Sequence, residues 1–377
     1  MSNRIRVGLL GANPDKGWGS SVHVPAIACL EGFELAAVAT TRIESASRAA
    51  EAFGARHAFG DVEGLVSDPE VDLVVIAVKA PDHHAAAMAA LEAGKHVYCE
   101  WPLAANSAQA AEMAATAEAR GVRTMVGLQA RSAPALRRIR DLLREGYVGR
   151  PIAVRMNCAL PGGGARRSRE GLYVIDKANG ASPLAIQGGH AIDALRFCVG
   201  EWADFSSLVA NQFPEIEVIE TGEHLPKDAP DQIAVSGVLA SGAVATVQIT
   251  GGTVAGHGIS LDIFGTEGTL SAGWDGGLNF QMSELRLRGA RLPQRTLEEL
   301  AIPEGYDPGV VLADFTGRSP YPGIAVPRAT VANVVNLYRD LERAIRSGVT
   351  PSPSFADGLS LHRLLDRIEA GGADRAG

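Results

Sequence analysis

The first 130 residues alternate between short unbroken hydrophobic runs and alanine-rich or amphipathic segments. The runs predict buried strands at residues 6–11, 33–40, 71–78, 96–99 and from 123 onward. The segments between them predict helices at 24–30, 44–53, 84–93 and 105–120. Strands that alternate with helices over short loops favour an α/β fold with a doubly wound parallel sheet. Such sheets bind ligands beyond the carboxyl ends of their strands.

Beyond residue 130 the pattern changes from alternation to strands. One helix is predicted at 135–145, strands at 152–158, 205–211, 233–239, 243–250 and 260–264, and terminal helices at 330–347 and 357–370. Segments 160–182 and 283–327 are rich in glycine, proline and charge, which predicts loops around a site or an interface. We therefore predict two domains, with the parallel sheet in residues 1–128. Residues 129–377 form an α+β domain with an open, largely antiparallel sheet, and its terminal helices either stay with it or pack back on the first domain.

Composition and charge exclude several classes of protein. The chain is 46% hydrophobic and 21% charged, as expected for a globular protein, and its formal net charge of −8 argues against nucleic-acid binding. The four cysteines form no CxxC pair or Cys/His cluster, so we predict reduced thiols and no metal site. No apolar run of about 20 residues occurs, so we predict no membrane span and a cytoplasmic location.

A glycine-rich turn, Gly8-Leu9-Leu10-Gly11-Ala12-Asn13, follows the first strand. Such a turn between a strand and a helix lets backbone N–H groups approach a pyrophosphate, as in Rossmann domains that bind nicotinamide dinucleotides. The usual GxGxxG pattern is altered, because Asn13 replaces its second glycine and an insertion precedes Gly17. The cofactor-binding residues predicted from this turn are Gly11, Ala12, Asn13, Lys16, Gly17 and Trp18.

The end of the second predicted strand carries Thr40, Thr41 and Arg42, and no acidic residue. An acid at this position binds the ribose 2′-hydroxyl of NAD, whereas hydroxyls and an arginine suit a 2′-phosphate. The sequence therefore favours NADP over NAD, with contacts from Thr41 and Arg42, unless Arg42 only opens the next helix at the surface. Three further residues, at or just after the end of the strand at 71–78, should border the cofactor: Val78, Lys79 and His83. In the pair His83-His84, one histidine alternatively caps a helix.

Several segments together resemble the Gfo/Idh/MocA family, the group of glucose–fructose oxidoreductase and inositol dehydrogenase. The matching segments are the glycine turn, 74–78, 91–97, 100–104, 126–131 and 188–193, within a similarity that covers most of residues 5–275. The resemblance implies a Rossmann domain, a C-terminal α/β domain whose open sheet often mediates oligomerisation, and NAD(P)-dependent oxidation or reduction of sugars or cyclic polyols. It implies cofactor contacts from Glu100, Trp101 and Gln129. It also implies a small carbohydrate-like substrate and a homo-oligomer, either a dimer or a tetramer.

The chain departs from that family at two polar positions. Trp101 replaces the lysine of the family's Glu-Lys-Pro pattern, which assists proton transfer, and Ile186 replaces the acid of its Asp-x-Gly-x-His pattern. The same departures resemble the subfamily of the fungal galactose-regulon repressor, a regulatory protein that binds a nicotinamide dinucleotide. Two functions are therefore open: an NAD(P)-dependent oxidoreductase acting on a sugar, sugar derivative or cyclic alcohol or ketone, or a non-catalytic dinucleotide-binding sensor.

His190 is the polar catalytic residue that the resemblance retains. Imidazole titrates nearest neutrality and suits a general acid or base, although a histidine at a helix start is also often only packed. Tyr173 and Lys177 precede it, and either can replace the lost lysine as a proton donor. The predicted substrate-binding residues are Trp101, Arg131 and Gln187. Trp101 either forms an aromatic wall or fills the core, and Arg131 either holds an anionic group or ties the domains together.

Overall fold

The computed structural model describes residues 4–162, 164–276, 278–309 and 326–371. These residues fall into two compact units. In the first, residues 4–129 group with residues 307–309 and 326–360, and in the second the described residues of 130–306 group with 361–371. The first unit therefore includes a helical segment that is distant from it in the sequence.

A six-stranded parallel sheet forms the centre of the first unit. Its strands are β1 (Ile5–Leu10), β2 (Phe33–Ala39), β3 (His57–Phe59), β4 (Leu73–Ile76), β5 (His96–Glu100) and β6 (Thr124–Gly127). Their order is β3-β2-β1-β4-β5-β6, so the direction of winding reverses between β1 and β4. The predicted doubly wound parallel sheet is confirmed. The sequence analysis missed β3, because its three half-buried residues are too few to show a pattern.

Nine helices are assigned in the described ranges. They are α1 (Val24–Ala28), α2 (Ile43–Phe53), α3 (Val62–Ser67), α4 (His83–Glu92), α5 (Ser107–Arg120), α6 (Pro134–Arg144), α7 (Gly189–Val199), α8 (Arg328–Ser347) and α9 (Phe355–Glu369). A helical turn at Gly19–His23 runs directly into α1, so the first helical segment begins before the start predicted at residue 24. Its glycine and serines carry no hydrophobic period, which is why the pattern hid it. Apolar residues of α8 join the core of the first unit.

The second unit is built on an eight-stranded sheet with the order β17-β16-β15-β14-β7-β13-β12-β9. Its strands are β7 (Pro151–Pro161), β9 (Trp202–Ala210), β12 (Gln232–Leu239), β13 (Val244–Thr253), β14 (Gly258–Gly265), β15 (Gly268–Trp274), β16 (Arg286–Arg291) and β17 (Glu298–Glu299). Only β7 and β13 pair in parallel among these strands, which confirms the predicted open, largely antiparallel sheet. The loop predicted at 283–327 is wrong at β16, where charged residues between buried ones mask the alternation. Residues 310–325 of that loop lie outside the described residues.

A separate three-stranded sheet, here called the small sheet, lies within the second unit. It consists of β8 (Arg166–Arg167), β10 (Glu215–Val218) and β11 (His224–Pro226). Ile175, Ile216 and Val218 form its own hydrophobic cluster. The helical turns Arg169–Val174 and Lys177–Asn179 follow β8 and precede β10 along the chain. The loop predicted at 160–182 therefore contains a short strand and two turns, which are too brief to carry a periodic signal.

Candidate functional site

Glycines shape the turn that follows β1. Gly11 has a φ of 95°, and a Cβ there would lie 2.4 Å from the carbonyl oxygen of Ala77. A Cβ on Gly19 would lie 2.6 Å from the carbonyl oxygen of Gly11. The hydroxyl of Ser21 donates to the carbonyl oxygen of Gly17 at 2.7 Å and holds the turn to the helical segment. The turn therefore presents backbone without side chains next to the N-terminus of a helical segment, at the point where the winding of the sheet reverses. This arrangement is suitable for binding a pyrophosphate.

The other residues predicted from this turn occupy different environments. Ala12 is buried, Lys16 is exposed, and the side chain of Asn13 accepts a hydrogen bond from the main chain of Asp15 at 2.9 Å. The indole Nε1 of Trp18 is buried, and the described residues offer it no hydrogen-bond acceptor. A buried donor left open in this way is consistent with a ligand that completes the turn.

The segment after β2 exposes Thr41 and Arg42 ahead of α2. The hydroxyl of Thr40 donates to the carbonyl oxygen of Arg42 at 2.9 Å, which fixes this bend. Arg48 of α2 lies 3.1 Å from Asp15, just after the glycine turn. The sequence analysis missed Arg48, because this pairing joins segments distant along the chain and leaves no local signal. Arg48 therefore lies beside the segment that follows the glycine turn.

His83 connects the segments that follow β4 and β5. Its Nδ1 lies 2.7 Å from the carbonyl oxygen of Pro102 and its Nε2 lies 3.1 Å from that of Val78. Burial lowers the pKa of His83, so the neutral ring donates to one of these carbonyls. Lys79 is exposed, whereas Trp101 is buried directly after β5. The ring of His83 thus holds backbone at the carboxyl ends of two neighbouring strands.

Glu100 and Gln129 form one end of a buried polar cluster. The Nε2 of Gln129 donates to Glu100 at 2.7 Å, and the Nε2 of His23 lies 2.9 Å from the other carboxylate oxygen. The Nδ1 of His23 lies 2.8 Å from the hydroxyl of Tyr338 in α8. The sequence analysis missed His23 and Tyr338, because only the packing of α8 against the sheet brings them to Glu100.

In the second unit, His190 lies buried in the first turn of α7. Asp193, three residues further along, accepts two hydrogen bonds from Arg131, at 2.9 and 2.7 Å. The guanidinium of Arg131 is thereby engaged with a carboxylate of its own unit. Gln187 lies in the helical turn before α7, and its Oε1 is buried with no hydrogen-bond donor among the described residues. His190 and Gln187 therefore stand on consecutive helical turns.

Tyr173 and Lys177 lie in the two short helical turns that follow β8. Tyr173 is half-buried, and burial raises its pKa while Arg167 opposes the rise. Lys177 is exposed, and its backbone N–H donates to Asp228 at 2.8 Å. Tyr173 is the less exposed of the two, but its raised pKa makes it a weaker acid at neutral pH.

The described ranges contain neither a cluster of metal ligands nor a membrane-spanning helix. No three His, Cys, Asp or Glu side chains gather there as metal ligands. The helices described are also too short or too polar to cross a membrane.

The doubly wound sheet, the glycine turn at its reversal point and the second, sheet-based unit together define a two-domain protein of the dinucleotide-binding class. Residues 5–128 match the model of an oxidoreductase family with an NAD-binding Rossmann fold, and residues 134–272 match the C-terminal domain of Gal80p. The chain belongs to the Gfo/Idh/MocA oxidoreductase family, and its N-terminal domain is an NAD-binding Rossmann domain.

Relatives with two kinds of function are similar to this chain. The dehydrogenase aclE of Aspergillus oryzae is 36% identical over 251 residues, which cover 63% of this chain and 67% of that protein. A solved super-repressor mutant of Gal80p from Saccharomyces cerevisiae is 26% identical, with a TM-score of 0.81 over 97% of this chain and 95% of that one. A solved levoglucosan dehydrogenase in complex with NADH and L-sorbose is 25% identical, with a TM-score of 0.81 over 97% and 96%.

Proposed function

We propose that this protein is an NAD(P)-dependent oxidoreductase that acts on a sugar, a sugar derivative or another cyclic alcohol or ketone. The observation that carries the proposal is the fit of the first unit to a dinucleotide. Glycines leave the turn after β1 free of side chains, and the buried Nε1 of Trp18 and Oε1 of Gln129 have no hydrogen-bond partner among the described residues. The similarity to a levoglucosan dehydrogenase solved with NADH and a sugar supports the substrate class.

The bound coenzyme would supply the hydride acceptor or donor, and the protein would position the substrate and move its proton. His190 is our candidate for the acid or base at the substrate hydroxyl, with Tyr173 as an alternative proton donor. Gln187 offers a buried carbonyl acceptor one turn away from His190 in the sequence. Trp101 would present an aromatic surface that suits the C–H face of a sugar or a flat coenzyme ring.

NADP is proposed as the preferred coenzyme. Thr41 and Arg42 are exposed at the end of β2, where an acid would otherwise bind the ribose of NAD. We expect Arg42→Ala to weaken NADPH binding about tenfold and to leave NADH binding unchanged, since one charge-assisted contact to the 2′-phosphate is lost. Equal losses for both coenzymes would remove Arg42 from this role.

A homo-oligomer is proposed through the outer face of the eight-stranded sheet. Large apolar side chains are exposed on the same face of three adjacent strands of that sheet: Leu208, Val238 and Val244. Val238 and Val244 are direct cross-strand neighbours. An apolar patch on an open sheet is a suitable surface for a second copy. A monomeric mass by light scattering at micromolar concentration would contradict this proposal.

The function is tested by titrating the purified protein with NADPH and NADH and then screening sugars, anhydrosugars and cyclic ketones for turnover. His190→Ala should reduce turnover by about 10²–10⁴-fold, the range for a lost general acid or base, while coenzyme affinity stays within about twofold. Arg286→Ala, an exposed change on β16, serves as the control. Unchanged turnover in His190→Ala would remove this residue from catalysis.

A second function is a non-catalytic dinucleotide-binding regulator. Two observations favour it: Trp101 and Ile186 replace the family's polar groups, and Gal80p is similar over nearly the whole chain. The same titration separates the two functions. Tight coenzyme binding without turnover across the substrate panel supports the regulator, and turnover on any substrate supports the enzyme.

A further inference from the structure

The carboxylate of Glu100 is fixed on both oxygens at the carboxyl end of β5. Oε1 lies 2.9 Å from the Nε2 of His23, and Oε2 accepts from Gln129 at 2.7 Å. Backbone also confines it, because a Cβ on Gly127 of β6 would lie 2.6 Å from Oε2. Glu100 therefore has little freedom to rotate away from this position.

The hydrogen bonds of His23 determine where the protons lie. His23 and Tyr338 are fully buried, and burial together with the charge of Glu100 raises the pKa of Tyr338 well above its usual value, so its O–H is retained. If that O–H donates to Nδ1, then Nε2 carries the ring proton and donates to Glu100. In the opposite arrangement, the phenol hydrogen would have no acceptor in the described part of the chain. Only the first arrangement gives an acceptor to both the phenol hydrogen and the ring hydrogen. In that arrangement Glu100 accepts a hydrogen bond on each oxygen and is an anion.

The groups around this anion are neutral. Burial raises the pKa of Tyr98 and of Cys99 well above their usual values, and the charge of Glu100 adds to both shifts. Burial lowers the pKa of His83, although the charge of Glu100 opposes that shift. Within the described residues, no lysine or arginine forms an ion pair with Glu100. Its negative charge is thus balanced only by hydrogen-bond donors, and the Oε1 of Gln129 beside it is buried without a donor from those residues.

Glu100 lies in the half of the sheet beyond the reversal point, on β5 next to β4 and β6. In doubly wound sheets one half holds each mononucleotide of a dinucleotide, and the glycine turn of β1 marks the half for the adenosine side. The nicotinamide ring is cationic when oxidised and neutral when reduced. We propose that Glu100, positioned by His23 and Gln129, makes this protein bind the oxidised coenzyme in preference to the reduced one. The proposal rests on the coenzyme-binding function above, and it holds for an enzyme or for a regulator.

The test compares dissociation constants of oxidised and reduced coenzyme for the wild type and for Glu100→Gln, measured by calorimetry with NAD⁺ and NADH and with NADP⁺ and NADPH. Glu100→Gln keeps the shape of the side chain and removes its charge. We expect the preference for the oxidised form to fall about tenfold, as for the loss of one charge within several ångströms in a partly screened site. Glu118→Gln, an exposed change of the same charge on α5, should leave the preference unchanged.

Tyr338→Phe provides a second measurement that does not remove the carboxylate. Without the phenol, nothing fixes the tautomer of His23, so the preference should fall by a smaller factor, about twofold to threefold. If Glu100→Gln weakens both redox forms equally, Glu100 has a structural role and the inference is overturned. If the wild type binds neither coenzyme, the proposed function and the inference fail together.

Discussion

A buried charged cluster of the first unit, around Glu100, differs from one of the second unit, around Lys227 and Asp231, in whether every hydrogen-bonding group has a partner. In the second unit Lys227 and Asp231 are fully buried and paired at 2.9 Å. The ammonium of Lys227 also donates to Asn211 at 2.8 Å and to the carbonyl oxygen of Ala229, so all three of its protons are used. Asp231 accepts further bonds from the main chain of Gln212.

The cluster of the first unit is left open. Glu100 has donors from His23 and Gln129, but the Oε1 of Gln129 is buried without a donor among the described residues. A cluster whose hydrogen-bonding groups all have protein partners has no group left for a ligand. A cluster with an unpaired group at the ends of parallel strands can still bind one. The two clusters are alike in burial and charge, and they differ in unused hydrogen-bonding capacity.

The largest effect that this comparison predicts is on stability in the second unit. Lys227→Met removes the ammonium and leaves Asp231 as an uncompensated buried charge, which costs about 3–5 kcal/mol of unfolding free energy. Denaturant unfolding should show this loss, while coenzyme affinity stays unchanged because the first unit is untouched. Arg286→Met, an exposed change on β16, should alter stability by no more than about 0.5 kcal/mol. A loss below about 1 kcal/mol for Lys227→Met would mean that the cluster is not needed for folding.

A smaller loss of stability is predicted for a substitution at Gly127, whose backbone packs against Glu100. Gly127→Ala places a Cβ against the carboxylate of Glu100, which must move and break its hydrogen bonds, at a cost of about 1–3 kcal/mol. In a Glu100→Ser background most of that cost should disappear, because the obstructing carboxylate is gone. Gly305→Ala, where no atom lies near the new Cβ, is the matched control. Equal costs in both backgrounds would show that the strain lies elsewhere.

The fold was predictable where the hydrophobic pattern extends over several residues and where strands and helices alternate regularly. Runs such as 71–78 identified buried strands, and the glycine turn after β1 identified the point where the parallel sheet reverses. Elements of two or three residues, such as β3 and β8, left no such signal. The small sheet was missed for this reason, although its cluster of buried residues is clear in three dimensions.

The candidate site was predictable only in part. Glu100 and Gln129 were identified from motifs, but the partners that fix them, His23 and Tyr338, are separated by 315 residues and meet through the packing of α8. Arg131 and Asp193 likewise lie 62 residues apart in the sequence, and no local pattern links them. Side-chain contacts between distant segments depend on tertiary packing, which local pattern does not encode.

The smallest predicted effect is on how the unfolding free energy of the protein depends on pH, through the buried His83. Burial lowers the pKa of His83 in the folded protein below the value of about 6.5 that an unfolded histidine has. Below that pH the unfolded chain binds a proton that the folded chain does not, so stability falls as the pH falls, by at most about 1.4 kcal/mol per unit. In His83→Gln this contribution disappears, and unfolding free energy measured between pH 7 and 5 should decline less steeply than in the wild type. His257→Gln, a change at an exposed histidine before β14 that has no ion-pair partner among the described residues, is the control. An unchanged slope in His83→Gln would mean that the buried ring accepts its proton in the folded state and donates to both backbone carbonyls.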